Sequence, residues 1–170
     1  HGSDEAKRLV RITFTFILIF VGIACLAGII LAPAIVALIA PGFLSDSGKF
    51  SQTVLLTRIM FPFLLFISLA ALVMGALNTR KVFFVPALAP AMLNIAIIAT
   101  VLLLVQSLEQ PIIAVAIGVA LGGFLQFTFQ LPSFFRQDYD LKLNYGFKHE
   151  GLKRMSILIL PATMGMAVAQ

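Results

Sequence analysis

The chain has 170 residues, of which 61% are hydrophobic and only 11% charged, with a mean hydropathy of +1.07. That composition excludes an ordinary soluble domain. The formal charge of +5 does not signal a nucleic-acid partner, because the basic residues flank apolar runs instead of alternating with aromatics on one helix face.

Charge-poor runs cover residues 12–45, 59–79, 82–108, 110–135 and 155–170. A helix needs about 20 apolar residues to cross about 30 Å of hydrocarbon. Four runs meet that length; the fifth reaches only about 16 residues before the sequence ends, so it is expected to be truncated. Membrane strands would be about ten residues long with alternating polarity, and these runs are uniformly apolar. The expected fold is an all-α polytopic bundle, a single membrane domain over residues 1–170. Its spans are expected near 9–40, 52–78, 84–106, 111–135 and 152–170, with an internal loop at 136–151. The chain opens on His1 and stops inside a span, which reads as an internal fragment.

Ten of the twelve Lys and Arg residues lie in alternate gaps: Lys7, Arg8 and Arg11, then Arg80 and Lys81, then Arg136, Lys142, Lys148, Lys153 and Arg154. Cytoplasmic loops retain positive charge, so these gaps are expected inside the cell.

In chain order, residues 4–11 read as a polar loop entering the first helix. That helix would be roughly 48 Å long, so it must tilt, protrude or bend. Pro33 removes a backbone donor and frees the carbonyl of Ile29, making it the expected bend. Pro41 and Gly42 end the helix, and residues 43–51 read as an external loop. Pro62 frees the carbonyl of Arg58 in the second span. A tight basic turn at 79–81 leads to the third, where Pro86 falls in the first turn and Pro90 bends the interior. Residues 106–110 form a minimal turn, so the third and fourth spans are expected to be antiparallel neighbours. In the last gap, Leu141, Leu143, Tyr145 and Phe147 alternate with polar residues, as in a short extended or interfacial segment. Pro161 bends the fifth span.

Ala114, Gly118, Gly122, Gln126 and Gln130 recur every four residues on one helix face. The small residues allow another backbone to approach closely. The two glutamines either bond to neighbouring helices or line a polar solute path. A similar face carries Ser68, Ala71, Gly75 and Asn78. Asn94 lies one turn beyond Pro90, placed to bond a freed carbonyl; for Asn78 and Asn94, structural bonds compete with contacts along a substrate path. Arg58 is the one charge inside the spans proper, about two turns from the external end. It either snorkels to the interface or pairs there, with Asp46 as the candidate partner, or it contacts an anion.

Catalytic chemistry finds no support. The two histidines, His1 and His149, are in polar segments, and no H-E-x-x-H, G-x-S-x-G or P-loop pattern occurs. No acidic pair lies inside a span. Cys25 is the lone cysteine, which excludes disulfide and metal frameworks within the chain. No enzyme activity, cofactor or metal is expected.

Residues 58–98, RIMFPFLLFISLAALVMGALNTRKVFFVPALAPAMLNIAII, together with APGF at 40–43, GGFLQFTFQLP at 122–132 and GLKRMSILILPATMGMAVAQ at 151–170, resemble the MurJ/MviN family of lipid II flippases in order and spacing. The resemblance covers nearly the whole chain and is far more specific than any one element. It implies the third to sixth helices, and the start of the seventh, of a fourteen-helix exporter-superfamily protein built as two six-helix lobes plus two helices. It further implies alternating-access transfer of lipid-linked peptidoglycan precursor across the bacterial cytoplasmic membrane. Membrane lipids and the parent protein's other helices would be its remaining partners. The family's main functional arginines and acidic residue lie largely outside this stretch. A drug/cation antiporter, another polysaccharide-lipid flippase and a non-transporting scaffold for cell-wall enzymes remain as alternatives.

Overall fold

The structure, a computed structural model, describes residues 2–146; the expected fifth span and Pro161 lie outside them. Five helices run in order: α1 (Gly2–Ile39), α2 (Ser47–Met60), α3 (Pro62–Thr79), α4 (Phe84–Leu104) and α5 (Ile112–Arg136). With α2 and α3 taken as one broken span, four helices are long and apolar enough to cross a membrane among the described residues. The fold is an all-α membrane bundle.

Helix α1 starts at Gly2, so residues 4–11, expected as a loop, are helical. Asp4 and Glu5 occupy its first turn, where carboxylates oppose the helix dipole favourably, and Ala6, Lys7, Arg8 and Leu9 all favour helix. The second span starts at Ser47, several residues before the expected 52. Asp46 caps it, accepting from the Lys49 amide at 3.1 Å, while a 3-10 turn over Pro41–Ser45 links it to α1. The same span breaks at Phe61, and Pro62 opens α3. The α3 stop is a Schellman turn: the Val82 amide donates to Leu77 O at 3.1 Å and the Lys81 amide to Asn78 O at 3.0 Å. Lys81 takes the left-handed conformation there, with φ 60°.

Spatial order differs from chain order. Helix α5 lies between α4 and α3 and also touches α2, while α1 packs on α2 and α3. Close approach of α5 depends on glycines facing two ways. A Cβ at Gly118 would sit 2.7 Å from Ile97 Cα, and one at Gly122 would sit 2.9 Å from Leu93 Cα, both on α4. A Cβ at Gly123 would instead meet the Phe63 ring of α3 at 2.7 Å. Ala114 on the α4-facing side is fully buried. Gly75 differs: it is exposed, with nothing within 4 Å of its Cβ position. Outward, side chains such as Leu38, Phe84 and Leu103 are about three-quarters exposed or more, a surface suited to hydrocarbon or further helices.

Two separate hydrophobic clusters hold the bundle. The larger joins Phe14 of α1, Leu69, Val73 and Leu77 of α3, and Phe127 and Phe134 of α5 with Tyr139. The smaller joins Ala32 and Val36 of α1 to Val54 of α2.

Residues 137–146 cross back from α5 to α1 as a strap. Tyr139 is buried, stacks on Phe134 at 5.1 Å and lies under the Arg80 guanidinium at 5.3 Å; its hydroxyl is 3.2 Å from Thr79 Oγ1. Asp140 accepts from Nε and Nη2 of Arg11, a two-point pair between partly exposed groups. Further on, the Asn144 amide donates to Thr15 Oγ1 at 2.8 Å. The alternation seen in the sequence is only partly used: Leu141 packs on the core, while Leu143 and Tyr145 point outward.

Two outcomes follow. Gly118→Leu or Gly122→Leu should cost about 1–3 kcal/mol or more, because the opposing atoms are backbone. Gly75→Ala should be neutral; thermal unfolding in detergent reads all three. The bond from Arg11, the largest cause, holds the Asp140 carboxyl below its ordinary range. The pair's contribution is therefore complete above the unfolded carboxylate pKa of about 3.9 and is lost as pH falls through the lower folded value. Hydrogen exchange across 139–146 should rise on acidification below about pH 4, and Asp140→Asn should show raised exchange already at neutral pH.

Candidate functional site

The polar residues singled out by the sequence do not converge on one site. Arg58 falls in the last turn of α2, eleven residues beyond Ser47, about 16 Å into the span and deeper than expected. Its Nε donates to Ile29 O at 3.1 Å. That is the carbonyl for which Pro33, four residues later, supplies no amide hydrogen. Asp46 is not its partner; Asp46 pairs with Lys49, Nζ to Oδ2 at 3.3 Å. The Asp46 carboxyl is held below its ordinary range first by the Lys49 amide and then by the Lys49 side chain.

Two more contacts lie next to it in the bundle. The Cys25 thiol donates to Phe61 O at 3.3 Å, the carbonyl at the junction of α2 and α3. A Cβ at Gly28 would collide with the Phe61 ring, so the absence of a side chain there lets that ring lie against α1. Pro33 continues within α1, and Pro62 stands directly after the break. The break at Phe61 thus faces Cys25 and Gly28 of α1, and Pro33 lies further along, beside Val54 and Arg58 of α2.

Gln126 and Gln130 are both buried, and Gln130 points toward α3. Gln130 is 1% exposed; its Nε2 donates to Gln126 O at 3.0 Å and reaches Ala70 O at 3.4 Å. The Oε1 atoms of both glutamines are buried without a partner among the described residues. Asn78 and Asn94 are exposed. Asn94 thus lies off the α5 interface, which α4 builds from Leu93, Ala96, Ile97 and Thr100. Pro90 is helical within α4 and exposed.

A groove of about 340 Å³ runs between α1 and α3, lined by Leu9, Thr13, Ala71, Gly75, Thr79 and Tyr139 among others. Thr13 Oγ1 is buried without a partner among the described residues. The exposed small-residue face of α3 therefore opens a groove instead of seating a described helix. Among the described residues no group of three or more His, Cys, Asp or Glu comes together that would hold a metal.

Sequence reasoning missed Gly28, Gly123, Thr15 and the Arg11–Asp140 pair. A glycine amid a long apolar helix, costing about 1 kcal/mol against alanine, was the available signal for the first two. Nothing local signalled the others.

The profile of the family described as lipid II flippase MurJ matches residues 1–170. Lipid II flippase MurJ of Burkholderia cenocepacia is 39% identical over 100% of this chain and 34% of its own length. Probable lipid II flippase MurJ of Treponema pallidum is 37% identical over 97% of the chain and 31% of itself. The corresponding protein of Haemophilus influenzae is 36% identical over 88% of the chain and 31% of itself. The chain spans about a third of the length of these curated relatives. It is a stretch of a multi-pass membrane protein, and with the profile matched from first residue to last it belongs to the MurJ family of lipid II flippases.

Proposed function

We propose that the protein carrying this segment flips lipid II, a lipid-linked peptidoglycan precursor, from the inner to the outer leaflet of the bacterial cytoplasmic membrane. The observation that carries this reading is family membership over the whole chain. Pyrophosphate and sugars cannot enter hydrocarbon unaided, because desolvating their charges costs far too much. A protein must offer them a polar path while the lipid tail stays in the bilayer. This segment contributes the scaffold of one wall. No catalytic step is assigned to it.

Within it, Asn78 and Asn94 are the better candidates for the path, being exposed. Gln130 is better read as an interhelical bond, since it already reaches the α3 backbone, and Gln126 is buried one turn before it. The basic gaps are read as cytoplasmic. In support, Arg11, Arg80 and Arg136 gather at the end of the bundle that carries the strap, and positive charge is retained inside.

Vesicles containing the full-length protein should move labelled lipid II to the opposite leaflet; no movement above protein-free vesicles would sink the reading. For orientation, an impermeant thiol reagent applied to whole cells, with Cys25 replaced, should modify Ser47→Cys and spare Lys142→Cys. The reverse pattern would invert the topology.

A further inference from the structure

We propose that Pro33 and Pro62 form one hinge, with Arg58 as its positioning residue, about which residues 33–60 tilt as a lever against α3 and α5. The proposal rests on the flippase reading, since alternating access needs a part of the bundle that moves.

Four observations place the hinge at this level. First, the two interrupted turns meet in neighbouring helices: the turn from Ile29 to Pro33 in α1 and the turn from Arg58 to Pro62 touch where Arg58 reaches Ile29 O, with Phe61 one turn away against Cys25 and Gly28. Second, the bracing is reciprocal. A side chain of α2 satisfies a carbonyl that Pro33 leaves open in α1, and a side chain of α1 bonds the carbonyl at the break between α2 and α3. Third, the hydrophobic clusters lie on opposite sides of the break: Val36 and Val54 belong to the lever, with Ala32 at its edge, while Phe14, Leu69 and Phe134 belong to the body. Fourth, the packing is open on both sides. A hollow of about 520 Å³ touches Cys25, Ile29, Pro62 and Leu65, and another of about 350 Å³ touches Pro33, Val54 and Arg58.

The body, by contrast, is tied at its far end by the strap, through Arg11–Asp140 and the buried Tyr139. Motion is therefore concentrated where backbone bonds are already interrupted, because bending there breaks no further helical bond. Arg58 keeps Ile29 O supplied with a donor. Its long, flexible side chain can hold that carbonyl through a range of tilts, which a fixed amide cannot. Helix α2 also rests on α5, and the lever slides along that contact.

The test uses a full-length family member carrying this segment, as wild type, Arg58→Ala, Pro33→Ala and the double variant. Arg58→Ala should lower the thermal midpoint in detergent by about 2 °C. In Pro33→Ala, residue 33 again donates to Ile29 O, so adding Arg58→Ala should leave the midpoint unmoved. Arg58→Gln, a neutral donor, should retain most of the wild-type midpoint and flipping rate. Pro33→Ala, and separately Pro62→Ala, should slow lipid II flipping several-fold while membrane levels hold. An equal loss from Arg58→Ala in both backgrounds, or Gln failing as badly as Ala, would overturn the brace. Wild-type flipping by both proline variants would overturn the hinge. If the unaltered protein moved no lipid II, the flippase reading would fall while the thermal cycle still reported on the Arg58 brace.

Discussion

Inside hydrocarbon a backbone carbonyl can accept only from protein, because there is no water to take the place of a missing amide. Each proline within a span removes one donor, and the arrangement of this bundle follows from how those losses are met. Pro62 takes from the Arg58 carbonyl its amide at the junction of α2 and α3, whereas Pro86 stands in the first turn of α4, where no intrahelical donor is required. Pro33 has no such shelter. Its orphan, Ile29 O, is met by Arg58 from the neighbouring helix. For that bond to form, α2 must lie close against α1 at this height. Gly28 makes the approach possible by leaving room for the Phe61 ring. One missing amide hydrogen thereby fixes which residues of α1 and α2 face each other.

The rest of the bundle is organised around α5. In a membrane the tails surrounding a helix are as apolar as its own side chains, so helices associate through close packing and a few polar bonds. Helix α5 has both. Gly118 and Gly122 admit the α4 backbone on one side, Gly123 admits Phe63 of α3 on another, and Gln130 reaches Ala70 O. With α4 and α3 both held by α5, helix α4 has little contact with any other helix. The loop between α4 and α5 is short, and their antiparallel packing is its geometric consequence.

Charge is confined largely to one end. There it contributes more than orientation, because Arg11 and Arg80 engage Asp140 and Tyr139 and draw the strap onto α1 and α3. Partly exposed ion pairs are individually weak. This one is supported by a buried aromatic stack and a backbone-to-threonine bond beside it. The segment therefore has one end tied by polar contacts and a middle interrupted by two prolines.

The sequence by itself determined the number of described spans, their all-helical character, the stop at Pro41 and Gly42, the tight turn at 79–81 and the adjacency of α4 and α5. These depend on local quantities: hydropathy over about 20 residues, the missing amide of proline and the length of a connection. It also singled out Ile29 O as a carbonyl in want of a donor. Tertiary structure alone decided that Arg58 would supply it. Packing likewise decided that Gly28 would meet the Phe61 ring and Gly123 the Phe63 ring while Gly75 faces a groove, and that residues 137–146 would lie along α1. Each depends on the rotation of a helix about its own axis and its distance from the next. Those are set by all the helices packing together, and no single stretch of sequence contains them.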